Sequence, residues 1–234
     1  MLRSLDDLTR FTAVAADASF PIKDVFFSLS DRTLVYLLVD TGSWFDSDTV
    51  LVSAGLISDV STDARTLTLD TDESQIRAAP EWHEEHASLL SAMPPIVVGP
   101  FGNTISPAMM VAIASASMES EPADTTLTQT LEHYGKIKGM DVFGSDNQLG
   151  TLVDLLVDFE TRKITHLVID NGKVLAGRQL LVPIEKLRYQ AEQGTHLVLA
   201  LTSSELEDAP QIETADRLDR NWIDVLRTYY RLPT

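Results

Sequence analysis

The chain has 234 residues, no cysteine, and 35 acidic against 18 basic residues, which gives a formal net charge of −17. The lack of cysteine excludes disulfides and thiolate metal sites, and the negative charge opposes binding to the phosphate backbone of a nucleic acid. The most apolar stretch, residues 108–114, is far shorter than the roughly 20 residues that a membrane-spanning helix needs.

The first eleven residues, MLRSLDDLTRF, contain no apolar run before Asp6 and Asp7. They therefore do not resemble a secretory signal. Together with the short apolar stretches, this start predicts a soluble, cytoplasmic protein without a membrane span.

Residues 24–80 predict a series of short β-strands. Val25, Phe27 and Leu29 alternate with other side chains, which is the period of a half-buried strand. Further apolar runs follow at 34–39, 49–52 and 66–70, separated by polar turns. Several short strands in so few residues favour a small closed barrel, because closure removes exposed sheet edges.

The next segments predict a helical tail and a linker. After Pro80, Trp82, Leu89 and Leu90 recur at helical spacing up to the prolines at 94 and 95. Residues 94–130 combine prolines, glycines, small residues and a polar stretch. We expect this region to be a linker with room for one short helix.

A second series of strands begins near residue 150. In residues 152–159 one predicted strand face is entirely apolar and consists of Val153, Leu155, Val157 and Phe159. The other face carries Asp154 and Asp158 together with Leu152 and Leu156. Asn171-Gly172 predicts a type I′ hairpin turn, because both central residues of that turn need positive φ. Further strands are predicted over the ranges 164–169, 179–182 and 196–201.

The C-terminal residues predict a second helical tail. Residues 216–232 place five apolar side chains on one stripe before Pro233, namely Leu218, Trp222, Val225, Leu226 and Tyr229.

The two series of strands are an internal repeat. With a constant shift of 130 and no gap, residues 24–80 align with 154–210, and twelve of the 57 pairs are identical. Alternating leucines would match by chance, but the shared turn residues and the Ala-Pro end of both copies would not. The identical pairs are Asp24/Asp154, Arg32/Arg162, Leu37/Leu167, Asp40/Asp170, Gly42/Gly172, Leu51/Leu181, Val52/Val182, Leu67/Leu197, Leu69/Leu199, Ser74/Ser204, Ala79/Ala209 and Pro80/Pro210.

The second copy resembles the PRC-barrel family. The resemblance begins with Gly150, Asp154 and Asp158 and continues through the stretch ITHLVID at 164–170. It ends with Gly172, Leu175-Ala176-Gly177 and the stretch LLVPIEKL at 180–187. The resemblance and the repeat together imply a mainly β fold of two PRC-type barrels in tandem, each followed by a C-terminal α-helix. The implied domains are a first, diverged barrel with its tail helix at 1–93, the linker at 94–130, and a second barrel with its tail helix at 131–234.

The resemblance also implies a class of function. The barrel occurs in the cytoplasmic domain of the photosynthetic reaction-centre H subunit and in the C-terminal domain of a ribosome maturation factor, where it docks proteins. The first copy departs from the pattern, since Phe20, Ser28, Ser47 and Ser53 replace Gly150, Asp158, Gly177 and Pro183. The resemblance therefore implies for this chain only the fold and, by analogy, a protein-docking role, and not the specific function of either protein.

The stretch His83-Glu84-Glu85-His86 is the strongest candidate for a metal site. His83 and His86 share a helix face, but they are three apart, whereas the zincin pattern needs histidines four apart. The alternative is a solvated face of the first tail helix, and this alternative is favoured.

Three aromatic residues are candidates for protein interaction, namely Trp44, Tyr229 and Tyr230. Trp44 follows the turn at Thr41-Gly42, and the two tyrosines lie near the C-terminus. Packing in the core or at its rim is the alternative for each of them.

The sequence contains no catalytic signature and no cofactor fingerprint. We therefore expect a non-enzymatic docking or scaffold protein without a cofactor, which binds one or more proteins and no nucleic acid. The alternative is a small-ligand or metal-binding protein that uses the cleft between the barrels or the helix with His83 and His86. Homo-oligomerisation is left open.

Overall fold

The structure is a computed structural model of the chain. It describes residues 2–16, 18–42, 48–79, 82, 131–172, 179–190, 195–209, 211–212, 225–226 and 228–230. The prediction of a mainly β fold is confirmed within these ranges, since strands are the dominant elements.

The chain divides into two compact units that do not follow the chain order. The N-terminal unit is Leu8–His133, and the C-terminal unit combines Met1–Asp7 with Tyr134–Thr234. The chain therefore leaves the C-terminal unit within its first helix and returns to it after His133.

The N-terminal unit holds one connected set of strands. They pair in the order β6-β7-β2-β3-β4-β5, with β8 on β3, and every pairing except the parallel β2–β7 is antiparallel. The elements are β2 Thr12–Ala15, β3 Ala18–Ser28, β4 Thr33–Asp40, β5 Thr49–Ser53, the 3₁₀ turn η1 Ala54–Leu56, β6 Ile57–Ser61, β7 Thr66–Leu69, α2 Glu73–Arg77 and β8 Leu131–His133.

The C-terminal unit has the same arrangement. Its strands pair in the order β13-β14-β9-β10-β11-β12-β15, with β1 on β10, and β14–β9 is the parallel pair. The elements are β1 Leu2–Ser4, α1 Leu5–Leu8 with Leu8 in the other unit, α3 Tyr134–Ile137, β9 Asp141–Phe143, β10 Gln148–Asp158, β11 Lys163–Asp170, β12 Gln179–Pro183, η2 Ile184–Lys186, β13 Leu187–Gln190, β14 His196–Leu199, α4 Ser203–Glu207 and β15 Gln211–Ile212.

The repeat is visible in the element boundaries. Seven consecutive elements, β3 to α2, each begin 130 residues before their counterparts β10 to α4. The three earlier elements, β1, α1 and β2, begin 129 residues before β8, α3 and β9, because the distance from the start of β9 to the start of β10 is one residue longer than that from β2 to β3. The short helices α2 and α4, which the periodicity did not predict, both begin with a capping box, at Asp72 and at Thr202.

The alternation predicted for 152–159 is only partly correct. Strand β10 runs from Gln148 to Asp158, and its pairing with β11 is interrupted twice. Val153 of β10 is the extra residue between Leu152 and Asp154, and Thr165 of β11 is the extra residue opposite Leu156 and Val157. Leu155, Leu156 and Val157 are all buried, so the predicted alternation does not hold through this part of β10.

The prediction of a type I′ turn at Asn171-Gly172 is wrong. Gly172 has φ +61°, but Asn171 does not have the positive φ that this turn requires. The Asp170 carboxylate instead accepts a hydrogen bond from the Gly172 amide at 2.9 Å, which is an Asx turn. Strands β11 and β12 do pair, from Asp170 opposite Gln179, so the connection is longer than two residues.

Trp82 does not begin a helix. Its amide donates a hydrogen bond to the carbonyl of Thr49 at 2.7 Å, and its ring packs edge-on against Phe26 with centroids 4.9 Å apart. The equivalent residue 130 positions later is Ile212 of β15, which pairs with Gln179. Trp82 therefore extends the edge of the sheet, whereas Leu89 and Leu90 lie outside the described residues.

The second tail is helical where the structure describes it. The Tyr230 amide bonds to the Leu226 carbonyl at 2.9 Å, and both side chains are buried. Val225, which the sequence places on the apolar stripe, is 55% exposed, so its assignment to that stripe is wrong. Neighbouring residues on a helix point about 100° apart, and the buried stripe passes through Leu226 and Tyr230.

Candidate functional site: the anchored strands

The most developed polar site of the C-terminal unit surrounds the carboxylate of Asp154. Asp154 lies at the first bulge of β10, where the strand turns its side chain along the edge that receives β1. Strand β1 pairs antiparallel with the end of β10, with Leu2 opposite Asp158 and Ser4 opposite Leu156. A side chain from the middle of β10 and a strand from the start of the chain thus meet at one edge.

Four groups donate hydrogen bonds to Asp154. The Ser4 hydroxyl donates to Oδ2. Oδ1 accepts from the Asp6 amide at 3.1 Å, from the Leu155 amide at 2.8 Å and from the Tyr134 hydroxyl at 3.0 Å. The carboxylate therefore joins β1, α1 and α3 to β10.

Burial raises the pKa of Asp154 above its ordinary value of 3.8. The bonds from Ser4, Asp6, Leu155 and Tyr134 oppose this rise, because each donor stabilises the ionised form. The cost of removing the carboxylate from water is the larger of the two effects. Asp154 is therefore a partly buried acid whose ionisation and hydrogen bonding are linked.

The N-terminal unit contains the same site in a different chemical form. Asp24, the counterpart of Asp154, also lies at a bulge and accepts a bond from the next amide, that of Val25, at 2.8 Å. Its Oδ2 lies 3.0 Å from Nδ1 of His133 on β8. The His133 ring also lies against Phe26, with centroids 5.5 Å apart. Here a histidine takes the position of the Ser4 hydroxyl.

We call β1 and β8 the docking strands, and Asp154 and Asp24 the anchor carboxylates. Each docking strand precedes one copy of the repeat in the sequence but pairs with the long strand of the other copy, since β1 pairs with β10 and β8 with β3. Each is followed by a short helix with two buried apolar side chains, which are Leu5 and Leu8 in one case and Tyr134 and Ile137 in the other.

The docking strands were not predicted from the sequence. The shift of 130 holds from β3 onward, whereas these segments align at a shift of 129. At that shift LRSLDDL (2–8) lies over LEHYGKI (131–137), with apolar residues at the first, fourth and seventh positions. This spacing is the available signal, and it is short. The pairing of β1 with β10, about 150 residues away, has no local signal.

In both units an extended segment is held against the edge of an existing strand. An extended segment adds to an existing strand through its main chain, and the anchor carboxylate fixes its position along that strand. This is the geometry of β-augmentation, in which main-chain bonds supply affinity and side-chain contacts supply specificity.

The structure describes two of the residues predicted for protein interaction. Tyr230 is buried, and its hydroxyl donates to the Leu181 carbonyl at 3.1 Å, which places it in the core of the C-terminal unit. Burial raises its pKa well above the usual range. Tyr229 is only partly exposed, and its hydroxyl donates to the Glu205 carbonyl at 2.6 Å. The two rings pack edge to face.

The other candidates, Trp44, His83 and His86, lie outside the described residues. Within the part of the chain that the structure does describe, no group of three or more His, Cys, Asp or Glu side chains is placed to hold a metal ion. The metal hypothesis at His83 and His86 therefore stays a prediction. In the same described ranges, no helix is long and apolar enough to cross a membrane.

His166 is a structural histidine. It occupies the position of Tyr36 in the first copy, and both residues are buried. Its Nδ1 lies 2.9 Å from the Thr165 hydroxyl.

Comparison with known proteins identifies the second copy. The family model of the PRC-barrel domain matches residues 130–205. No curated protein matches the chain significantly. The matched segment begins with β8 and ends within α4, so it covers the whole repeat from docking strand to short helix. Residues 130–205 of this chain are a member of the PRC-barrel domain family.

Proposed function

We propose that this chain is a non-enzymatic protein-docking or scaffold protein of the PRC-barrel type, and that it binds its partner by strand addition. One observation carries the proposal: each unit binds a strand that precedes the other copy of the repeat in the sequence, through main-chain pairing and an anchor carboxylate. A unit built in this way recognises an extended segment that need not be continuous with it.

We also infer that the fold is two PRC-type barrels in tandem. The family match covers the second copy, and the shift of 130 in seven consecutive elements supports the same architecture for the first. The equivalent bulges at Asp24 and Asp154 support it further, because bulges are specific features of a fold rather than accidents of composition.

The function is tested by measuring partner binding with matched variants. The tagged full chain is used to capture proteins from the source cell, and a captured protein is purified and titrated against the chain by calorimetry. A partner segment takes the place of a docking strand. Asp154→Ala and Asp24→Ala, measured where circular dichroism shows each variant to be folded, are therefore expected to weaken binding at least about tenfold, because each removes the group that fixes such a segment. Asp63→Ala, in an exposed turn of the N-terminal unit, is the control with unchanged affinity.

Two results would contradict the proposal. One is that no protein is retained above background while the purified chain turns over a small molecule. The other is a partner that binds both anchor variants as tightly as the wild type. We place the protein in the cytoplasm, and a fluorescent fusion of the full chain in the source cell tests that assignment.

A further inference from the structure

Several of the groups through which the C-terminal unit holds β1 lie within residues 2–7. Main-chain pairing involves Leu2, Arg3 and Ser4, and the Ser4 hydroxyl and the Asp6 amide bond to Asp154. The Asp6 carboxylate pairs with the Lys138 ammonium. A six-residue segment therefore carries the strand pairing, both bonds to the anchor carboxylate and an ion pair.

The chain itself shows that such a segment need not be attached directly to its acceptor. Strand β1 is followed by the N-terminal unit and yet belongs to the C-terminal one, and β8 is followed by the C-terminal unit and yet belongs to the N-terminal one. Two copies of the repeat thus exchange their docking strands within a single chain.

We propose that this exchange also occurs between chains: residues 2–7 of one copy dock on β10 of a second copy, and the reverse, so that two chains form a dimer. The inference rests on the proposed docking function and names one of its partners. The segment of a second copy presents the same groups to the same acceptor, so the contacts are identical and only the effective concentration differs. Concentration therefore decides between the closed chain and the exchanged dimer.

Disulfide trapping tests the exchange, and the absence of native cysteine makes the result unambiguous. Leu2 and Asp158 lie opposite each other. Antiparallel partners of this kind have Cβ atoms about 4.5–5.5 Å apart, which is close to the spacing a disulfide needs. Full chains carrying Leu2→Cys and full chains carrying Asp158→Cys are mixed, unfolded in urea, refolded together under reducing conditions and then oxidised.

A disulfide-linked pair of twice the chain mass of 25.8 kDa is the expected product. While dimers are a minority, their fraction should rise about tenfold for each tenfold increase in chain concentration. The control replaces Asp158→Cys by Asp63→Cys, an exposed residue of the N-terminal unit, and should give only background. Adding Ser4→Ala to the Leu2→Cys chain should lower the yield, because that strand then competes poorly with an intact one for the acceptor.

The double variant Leu2→Cys with Asp158→Cys separates the two ways in which the idea can fail. If it closes a disulfide within one chain while the mixture gives no more dimer than the control, exchange between chains is overturned and the docking function stands. If the double variant does not close either, β1 does not lie on β10, and the observation that carries the proposed function fails with it. A dimer yield that Ser4→Ala leaves unchanged would overturn docking through the anchor carboxylate.

Discussion

At the residue scale, the bulge in β10 explains why Asp154 can hold several segments. A regular strand would point this side chain straight out of the sheet, whereas the bulge turns it back toward the next amide. Asp24 also lies at a bulge and also accepts a bond from the next amide, so the aspartate and its bulge are common to both copies of the repeat. The group opposite it, Ser4 or His133, is the part that differs.

Asp154→Ala should destabilise the C-terminal unit by about 2–4 kcal/mol, because it leaves partly buried donors from Ser4, Tyr134 and two amides without their acceptor. Asp154→Asn should cost less, since its remaining oxygen still accepts from the amides of Asp6 and Leu155. Urea unfolding, monitored by circular dichroism, gives both free energies. Equal stability of Asp154→Ala and the wild type would mean that the carboxylate does not hold the strand.

The pH dependence of Asp154 has a definite sign. Because burial raises its pKa in the folded state above 3.8, the folded chain binds a proton at this group more readily than the unfolded chain. The contribution to stability is therefore complete below about pH 3.8 and is lost as the pH rises through the folded-state pKa. The free energy of unfolding of the wild type, measured relative to Asp154→Asn, should decrease from pH 4 to pH 7. A constant or rising difference would contradict this assignment.

At the scale of elements, Gly150 shows why the two copies diverge at the start of their long strands. Gly150 has φ +151°, and a Cβ at this position would lie 2.2 Å from the Asp170 carbonyl oxygen on β11. Only glycine allows β10 and β11 to approach in this way. In the first copy Phe20 stands at this position, is buried, and carries the Arg77 guanidinium over its ring. The first copy therefore has a buried aromatic side chain at the position where the second copy has no Cβ.

Gly150→Ala should therefore destabilise the C-terminal unit by at least about 2 kcal/mol. The alanine would have an unfavourable positive φ, and its Cβ would also clash with the main chain of Asp170. Gly172→Ala is the matched control. It also has positive φ, but a Cβ there has no neighbour within 4 Å, so its cost should be only about 1 kcal/mol. Thermal or urea unfolding measures which substitution costs more stability. An equal cost for the two would contradict the close approach of β10 and β11 at Gly150.

At the scale of the whole molecule, the units defined by contacts differ from the domains read from the sequence. Residues 1–7 open the domain predicted over 1–93 but lie in the C-terminal unit, and 131–133 open the domain predicted over 131–234 but lie in the N-terminal unit. The family match likewise begins with β8, which pairs with β3. A sequence boundary follows the gene repeat, whereas a structural boundary follows strand pairing.

This difference predicts the pattern of amide protection. Gly150→Ala weakens β10, so hydrogen exchange of residues 2–4 should accelerate in that variant although they lie almost 150 positions away in sequence. Residues 131–133 are much nearer to Gly150 in sequence, but they pair with β3 and should keep their protection. Hydrogen exchange with mass spectrometry measures both peptides. Faster hydrogen exchange in residues 131–133 without faster exchange in residues 2–4 would contradict the assignment of the docking strands.

The prediction of short strands at 34–39, 49–52 and 164–169 was possible because each depends on local periodicity, and these ranges lie within β4, β5 and β11. Helical spacing was misleading at Trp82, because its amide bonds to the Thr49 carbonyl at the edge of the sheet. The turn at Asn171-Gly172 was misread because the Asp170 side chain supplies a different turn.

The mainly β character, the repeat at a shift of 130 and the resemblance to the PRC-barrel family can all be read from the amino-acid sequence, because they depend on periodicity and on equivalent turn residues. Which strand completes which unit is visible only in the folded chain, where Ser4 bonds to Asp154 and His133 lies against Asp24. The two docking strands have closely similar patterns, so local preference cannot distinguish their acceptors. The choice depends on pairing between residues more than 100 positions apart, which no local pattern records.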